Sequence, residues 1–220
     1  MHSNSKCLCL FIEIDLNDLI ADIIHGDIKH QNVLIFEDEG HGFIAKMADF
    51  GFSTGFQGEN DKISFPRSRP WNAPEYHDRY FFHEEAKRMD VYSFGLLCFW
   101  FLFGASGQLP LAPWMQYENV ETISFEGNGE SLVILENLME NQDDNLLRWI
   151  IWVINCQDDF KDDERHNLEQ FFCFTLVRKP DQRNMNFNDL LSSLAPYRLD
   201  IKYYSHYSLL IIFSEQYSRR

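Results

Sequence analysis

The sequence predicts a mainly helical domain of the α+β class, a bundle of helices with one small β-hairpin. Residues 131–155 repeat apolar clusters at helical spacing, and residues 168–176 place their large apolar side chains on one face of a helix. Residues 90–103 are apolar on every side, which is typical of a helix buried inside a domain. Two short β-prone runs, 33–36 and 43–47, flank the glycine-bearing turn EDEGHG and predict the hairpin.

The rest of the chain is less regular. Asp90 opens the apolar stretch, and we expect its side chain to cap the N-terminus of that helix. Residues 51–72 are rich in glycine, serine, proline and charge, which predicts a long, exposed loop. Residues 188–194 predict one more short helix. The two ends, residues 1–18 and 199–220, fit no template and are left unassigned.

Charge and cysteine usage limit the partners and the compartment. The chain of 220 residues carries a net charge of −15, which would repel nucleic acids and anionic membrane surfaces, so we expect neither as a partner. The strongly apolar run 94–103 is far shorter than the ~20 residues that a membrane span needs. The five cysteines form no C-x-x-C pair, which indicates free thiols in a reducing compartment, the cytoplasm or the nucleus.

One short loop, HGDIKHQN, collects residues suited to chemistry. It places the Asp27 carboxylate, the Lys29 ammonium and the Asn32 carboxamide just before the first β-prone run. A second carboxylate, Asp49, follows 22 residues after Asp27, across the hairpin. Phosphoryl transfer needs oxygen ligands for magnesium, a carboxylate near the attacking hydroxyl and positive charge near the transferred phosphate. The loop and the hairpin supply all of these except a complete nucleotide pocket.

These residues belong to a set of motifs that resembles the protein kinase family. The loop matches H-x-D-[IL]-K-x-x-N, residues 49–51 match D-F-G, and residues 73–75 match A-P-E. Residues 90–95 are similar to the start of the family's central helix, and Arg183 in RKPDQRN is similar to the arginine that pairs with the A-P-E glutamate. The five features occur in family order, and the resemblance covers residues 19–198.

The resemblance implies the C-terminal lobe of a serine/threonine-type protein kinase, which uses ATP and Mg²⁺ and phosphorylates hydroxyl groups of a protein substrate. It implies that Asp27 accepts or orients the proton of the substrate hydroxyl and that Lys29 neutralises charge on the transferred phosphate. It also implies Asn32 and Asp49 as the magnesium ligands and Leu34 as the floor of the adenine site.

The same resemblance implies residues that hold the site together. His25 and Phe50 are similar to two members of the hydrophobic stack that marks the active state, and Gly51 completes the D-F-G triplet. Ser68 stands where the family has a hydroxyl residue that touches the catalytic aspartate and lysine. Taken singly, His25, Ser68 and Leu34 fit ordinary packing in a core or a loop equally well.

The resemblance also implies one long-range ion pair. Glu75 ends the A-P-E triplet, and Arg183 lies in a distant part of the sequence. We expect a buried, two-pronged contact between the guanidinium and the carboxylate. The alternative is that Arg183 is an ordinary surface arginine after a helix.

Two departures from the family pattern affect the expected activity. Gly26 replaces the arginine that usually clamps a phosphorylated residue of the activation loop, so switching by loop phosphorylation loses its main anchor. Only 24 residues precede His25, and they contain one lysine and no glycine. We therefore expect a truncated kinase domain without the glycine-rich loop of an N-terminal lobe, and negligible ATP turnover by this chain alone.

Two other functions stay open. The pattern H-G-D-x-x-x-x-N also resembles the aminoglycoside and choline phosphotransferases, whose loop carries glycine at the position of Gly26. Those enzymes generally lack the loop lysine, the D-F-G triplet and A-P-E, which are all present in this sequence. The other alternative is a non-catalytic kinase fragment, or pseudokinase, that acts as a binding module.

Overall fold

The computed structural model describes most of the predicted domain. The unassigned ends, 1–18 and 199–220, lie outside the described residues apart from 10–11, and so does most of the predicted helix 188–194. Among the described residues, no helix has both the length and the apolar character needed to cross a membrane. The described residues are 10–11, 23–38, 42–54, 62–76, 80–104, 108–117, 120–125, 129–140, 143–158, 160–186 and 189–190.

The predicted hairpin is confirmed and carries the loops of the candidate site at its base. Strand β2 (Val33–Asp38) pairs antiparallel with β3 (Gly42–Met47), with Val33 opposite Met47 and Asp38 opposite Gly42. Strand β1 (Leu10–Phe11) runs parallel to β3 on its other side. The sheet order is β1-β3-β2. The open end of the hairpin therefore brings the residues just before β2 next to those just after β3.

The central helix begins earlier than the sequence predicts. Helix α1 spans His83–Phe99 and continues as a π-helical turn, Trp100–Gly104. The Glu85 carboxylate accepts a hydrogen bond from the Phe82 N–H at 3.0 Å, and acidic side chains in the first turn favour this end of the helix dipole. The prediction that Asp90 caps the helix is wrong, because Asp90 lies inside α1 and is buried there.

Three further helices are described: α2 (Glu130–Glu140), α3 (Asn145–Asn155) and α4 (Asp162–Leu176). The periodic stretch 131–155 therefore forms two helices instead of one continuous segment. Asp144, between them, has a φ of 49°, which a right-handed helix cannot contain. The apolar period is kept on both sides of this break, so the sequence pattern alone did not locate it.

The core is built where α1 packs on α4. The ring centroids of Phe94 and Phe171 lie 6.2 Å apart in an edge-to-face arrangement. Gly95 permits this approach, because a Cβ atom there would lie 2.6 Å from the Thr175 hydroxyl oxygen. The face predicted for residues 168–176 is confirmed as buried; it consists of Leu168, Phe171, Phe172, Thr175 and Leu176.

Of the segment predicted as a long, exposed loop, 51–72, residues 55–61 lie outside the described residues, and the remainder is partly strand and partly core. Strand β4 (Lys62–Ser64) pairs antiparallel with β5 (Tyr80–Phe82). Phe65 and Trp71 are buried in the core. The prediction of an exposed loop is wrong for these residues. Isolated aromatic residues among polar ones give no hydrophobic periodicity that could be detected in the sequence, but burial of even one ring is strongly favourable. A last short pair, β6 (Leu109–Pro110) and β7 (Thr122–Ile123), follows α1.

Candidate active site

One buried carboxylate fixes the loop of residues 25–32, which the family resemblance implies is the catalytic loop, to the central helix α1. Asp90 of α1 accepts hydrogen bonds from the backbone N–H of His25, at 2.6 Å, and from that of Gly26, at 3.1 and 3.3 Å. Sequence reasoning missed this role. The available signal was a carboxylate inside an apolar helix, which must find polar partners once it is buried. The loop that carries Asp27 therefore begins on a rigid support.

Burial disfavours the charged forms of both Asp90 and His25. It raises the pKa of Asp90 to about 7, and the hydrogen bonds from the His25 and Gly26 N–H groups oppose this rise. Burial also lowers the pKa of His25, while a contact of its Nε2 with the Ala48 carbonyl oxygen, at 3.1 Å, opposes the decrease. These two shifts predict that the stability of the domain depends on pH.

We expect the stabilisation specific to the Asp90 carboxyl to be lost as pH rises. Between an ordinary aspartate pKa of 3.8 and about 7, the folded state holds a proton on Asp90 that the unfolded state does not hold. This contribution to the free energy of unfolding is fully present below the ordinary pKa of 3.8, and it is lost as pH rises through the folded-state pKa of about 7. Urea unfolding of wild type and Asp90→Asn over this range measures it, because asparagine does not titrate.

The expected result is a free-energy difference, wild type minus Asp90→Asn, that decreases steadily with rising pH. The titration of His25 has the opposite effect. Because the pKa of His25 is lowered in the folded state, the domain loses stability as pH falls below 6.5. It is present in both proteins, so its effect cancels from the difference. A difference that stays constant with pH would contradict the assignment of this titration to Asp90.

Asp27 is the centre of a hydrogen-bonded cluster. The Lys29 ammonium donates to its Oδ2 at 2.6 Å, and the Ser68 hydroxyl donates to its Oδ1 at 2.7 Å. Lys29 and Ser68 also contact each other, with 3.2 Å between Nζ and Oγ. The Asn32 amide nitrogen lies 2.8 Å from the Asp27 carbonyl oxygen and 3.2 Å from Oδ2. The structure therefore brings three predicted site residues, Lys29, Asn32 and Ser68, together around the Asp27 carboxylate.

Asn32 and Asp49 lie at neighbouring positions where the loop meets the hairpin. The Ala48 N–H donates to the Asn32 carbonyl oxygen at 2.8 Å, which extends the β2–β3 pairing by one step toward Asp49. The amide nitrogen of Asn32 is used on Asp27, so its side-chain oxygen is the atom suited to a cation. An amide oxygen and an exposed carboxylate are ligands that magnesium accepts, so these two residues fit that ion.

The D-F-G triplet forms a tight turn. Asp49 enters it with a φ of 61°, and its Oδ1 accepts a hydrogen bond from the Gly51 N–H at 3.4 Å. A 3₁₀ turn, Phe50–Phe52, follows. The Phe50 ring lies 4.9 Å from the His25 ring, so the two residues implied as members of one stack are in contact.

Large apolar side chains are exposed beside the site. Leu34, implied as the adenine floor, is 49% exposed on β2, and Ile35 and Phe36 next to it are similarly exposed. Phe50 is 43% exposed. Leu34 and Phe36, two residues apart, lie on the same face of β2, and Ile35 lies on the opposite face.

Arg183 joins the A-P-E segment to the end of the helical bundle. Both terminal nitrogens of its guanidinium donate to the Glu75 carboxylate, and the Nη2–Oε2 distance is 2.9 Å. Backbone carbonyl oxygens of Val177, Arg88 and Arg178 accept its remaining hydrogen bonds. The Arg183 side chain is 0% exposed, which is incompatible with an ordinary surface arginine.

Comparison with known proteins gives the family. The family model described as "Protein kinase domain" matches residues 20–190. The SNF-related serine/threonine-protein kinase of Rattus norvegicus is 33% identical over 84 residues, 37% of this chain and 10% of that protein. Serine/threonine-protein kinase A of Synechocystis sp. is 32% identical over 93 residues, 41% of this chain and 17% of that protein.

A third relative, mitogen-activated protein kinase kinase kinase 12 of Rattus norvegicus, is 33% identical over 82 residues, 37% of this chain and 8% of that protein. The chain thus covers less than a fifth of each of these curated relatives. The family match, in contrast, includes the catalytic loop, the hairpin, the A-P-E segment and the helical bundle. The chain belongs to the protein kinase domain family.

Proposed function

We propose that residues 19–198 form the C-terminal lobe of a serine/threonine-type protein kinase, which transfers the γ-phosphoryl group of ATP to a hydroxyl group of a protein. The contact set of Asp27 is the observation that carries this proposal. The Asp27 carboxylate is hydrogen-bonded simultaneously to an ammonium, a hydroxyl and a carboxamide, which together fix its orientation. Phosphoryl transfer uses these groups.

Each residue then has a defined task. Asp27 accepts or orients the proton of the attacking hydroxyl, and Ser68 holds its carboxylate in place. Lys29 neutralises charge on the transferred phosphate from its position beside Asp27. Asn32 and Asp49 would hold Mg²⁺, which when bound neutralises the phosphate oxygens of ATP.

We also infer that this chain alone does not bind ATP in the geometry that phosphoryl transfer requires. The apolar side chains of Leu34 and Phe36, two residues apart on β2, are exposed on the same face of the strand, the face on which Leu34 would contact adenine. A second lobe resting on this surface would complete the nucleotide pocket. Because positioning supplies most of the rate in phosphoryl transfer, we expect very slow turnover without it. The same exposed surface would serve a non-catalytic binding module.

The proposed partners are ATP and a protein that presents a serine or threonine hydroxyl. The absence of nucleic-acid partners stays a prediction from the net charge of −15. A cytoplasmic or nuclear location stays a prediction from cysteine usage. Among the described residues, Cys98, Cys156 and Cys173 are free thiols.

Phosphate transfer with two acceptors tests the substrate class. The chain is assayed with Mg²⁺ and ATP, alone and joined to the N-terminal lobe of a serine/threonine protein kinase, on casein and on kanamycin. We expect the chain alone to match its Asp27→Asn control and the joined protein to phosphorylate casein. Transfer to kanamycin and not to casein would favour the small-molecule phosphotransferases, with which Gly26 agrees.

A further inference from the structure

A cavity of about 400 Å³, part of it open to solvent, lies between the A-P-E segment and helix α2. Residues of the segment 69–76 form one wall, and Glu136, Met139 and Glu140 of α2 form the other. None of the residues proposed to act in phosphoryl transfer lines this cavity. We call it the α2 cavity.

The wall of the α2 cavity is connected to the Asp27 cluster by Asn72. The Asn72 Oδ1 accepts a hydrogen bond from the Ser68 N–H at 2.6 Å, and its Nδ2 donates to the Pro66 carbonyl oxygen at 3.1 Å. The Ser68 hydroxyl donates to the Asp27 carboxylate. Because an extended chain advances about 3.3 Å per residue, a protein segment with its hydroxyl beside Asp27 would reach the cavity with a side chain a few residues away.

The charges around the α2 cavity leave one carboxylate without a cation. The Arg69 guanidinium donates to the Glu136 carboxylate at 2.7 Å, so Glu136 already has a counter-charge. In the part of the chain that the structure describes, no cation pairs with the carboxylate of Glu140, which is exposed at the end of α2. Arg178 donates instead to the backbone carbonyl oxygen of Glu140, at 3.2 Å.

The rest of the lining is mainly apolar. Met139 is buried, and Pro70, Ala73 and Pro74 lie on the facing wall. A lysine or arginine side chain has an apolar stem and a cationic end, which match an apolar lining beside an unpaired carboxylate. The net charge of −15 also favours association with a basic partner.

We propose that the α2 cavity binds a lysine or arginine side chain of the protein that carries the acceptor hydroxyl, and that Glu140 selects this side chain by its charge. The inference rests on the proposed function, because it takes the bound protein to be the substrate. It narrows the substrate class to proteins with a basic residue within a few positions of the phosphorylated hydroxyl.

NMR titration of the full chain with synthetic peptides tests the inference. Each peptide has one serine in a background of alanine and glycine, with one lysine placed two to five residues before or after it. A matched set replaces lysine with norleucine, which has an apolar stem and no charge. The amide signals of Asn72 and Met139 report occupation of the cavity, and their shifts give the affinity.

We expect the best lysine peptide to bind about 5-fold more tightly than its norleucine match, as for an ion pair at a partly exposed site. Glu140→Gln should remove this preference. Glu130→Gln should keep it, because Glu130 is an exposed glutamate of the same helix that does not line the cavity. Arg69→Gln should increase it, because Glu136 then loses its internal counter-charge.

The failure of this inference can be distinguished from failure of the proposed function. Equal affinity of the lysine and norleucine peptides, or a lysine preference that persists in Glu140→Gln, would overturn the inference alone. A lysine preference in the full chain, combined with no phosphate transfer to casein by the joined protein, would overturn the substrate role of the cavity together with the proposed function.

Discussion

Replacing Arg183 with alanine is expected to lower the free energy of unfolding by about 3–5 kcal/mol. The Arg183 guanidinium is fully buried, forks onto the Glu75 carboxylate and lies 4.6 Å from the centre of the Tyr92 ring. Removing it leaves Glu75 without its buried counter-charge, and three backbone carbonyl oxygens lose a donor. A loss of this size is comparable to the whole stability of a marginal domain.

Two further substitutions separate the ion pair from a general effect of losing a cation. Lys179 lies in the same segment and is exposed, so Lys179→Ala should leave the melting temperature almost unchanged. Arg183→Lys should recover only part of the loss, because an ammonium cannot fork onto a carboxylate. Urea and thermal unfolding measure all three. Equal stability of the alanine variants at 183 and 179 would show that the pair contributes nothing.

Periodic and contiguous features were the part of the molecule that sequence reasoning predicted well. The hairpin followed from two β-prone runs around a glycine-bearing turn, and the buried face of α4 followed from its helical spacing. Asp27, Lys29 and Asn32 lie within six residues of one another, so one tight loop was enough to bring them together. Local sequence carries this kind of information directly.

Of the contacts between residues far apart in the sequence, some were predicted from a family motif and one was missed. Ser68 and Arg183 were placed by a family motif, since nothing local ties Ser68 to Asp27 or Arg183 to Glu75. Asp90 also belongs to a family motif, the start of the central helix. Its role, however, was predicted only from the residue preferences of helix N-termini, which suggested an N-cap. Its actual partners, the amides of His25 and Gly26, lie 65 and 64 residues away, beyond the reach of propensity or period.

Backbone geometry explains the remaining differences. At the start of α1, Glu85 accepts a hydrogen bond from the Phe82 N–H, and the residue just before α3, Asp144, has a positive φ. Neither changes the apolar pattern, so neither is visible in it. Gly26 likewise appeared in the sequence as a lost arginine. Its positive φ and its close approach to Phe52 become apparent once the two loops are placed together.

The account depends most on Asp27 acting as the catalytic carboxylate. In the chain joined to an N-terminal lobe, Asp27→Asn keeps the size and most hydrogen bonds of the side chain but removes its ability to take a proton. General-base groups of this kind contribute about 10²–10⁴-fold to the rate, so we expect a loss of that order.

The decisive measurement is phosphate transfer to casein by the joined protein, in which the wild type is compared with Asp27→Asn. Both proteins retain Arg183, and thermal unfolding checks that both are folded. The account predicts transfer by the wild type and a rate about 10²–10⁴-fold lower for the variant. Equal rates for the two, or no transfer by a joined protein that unfolds cooperatively, would contradict it.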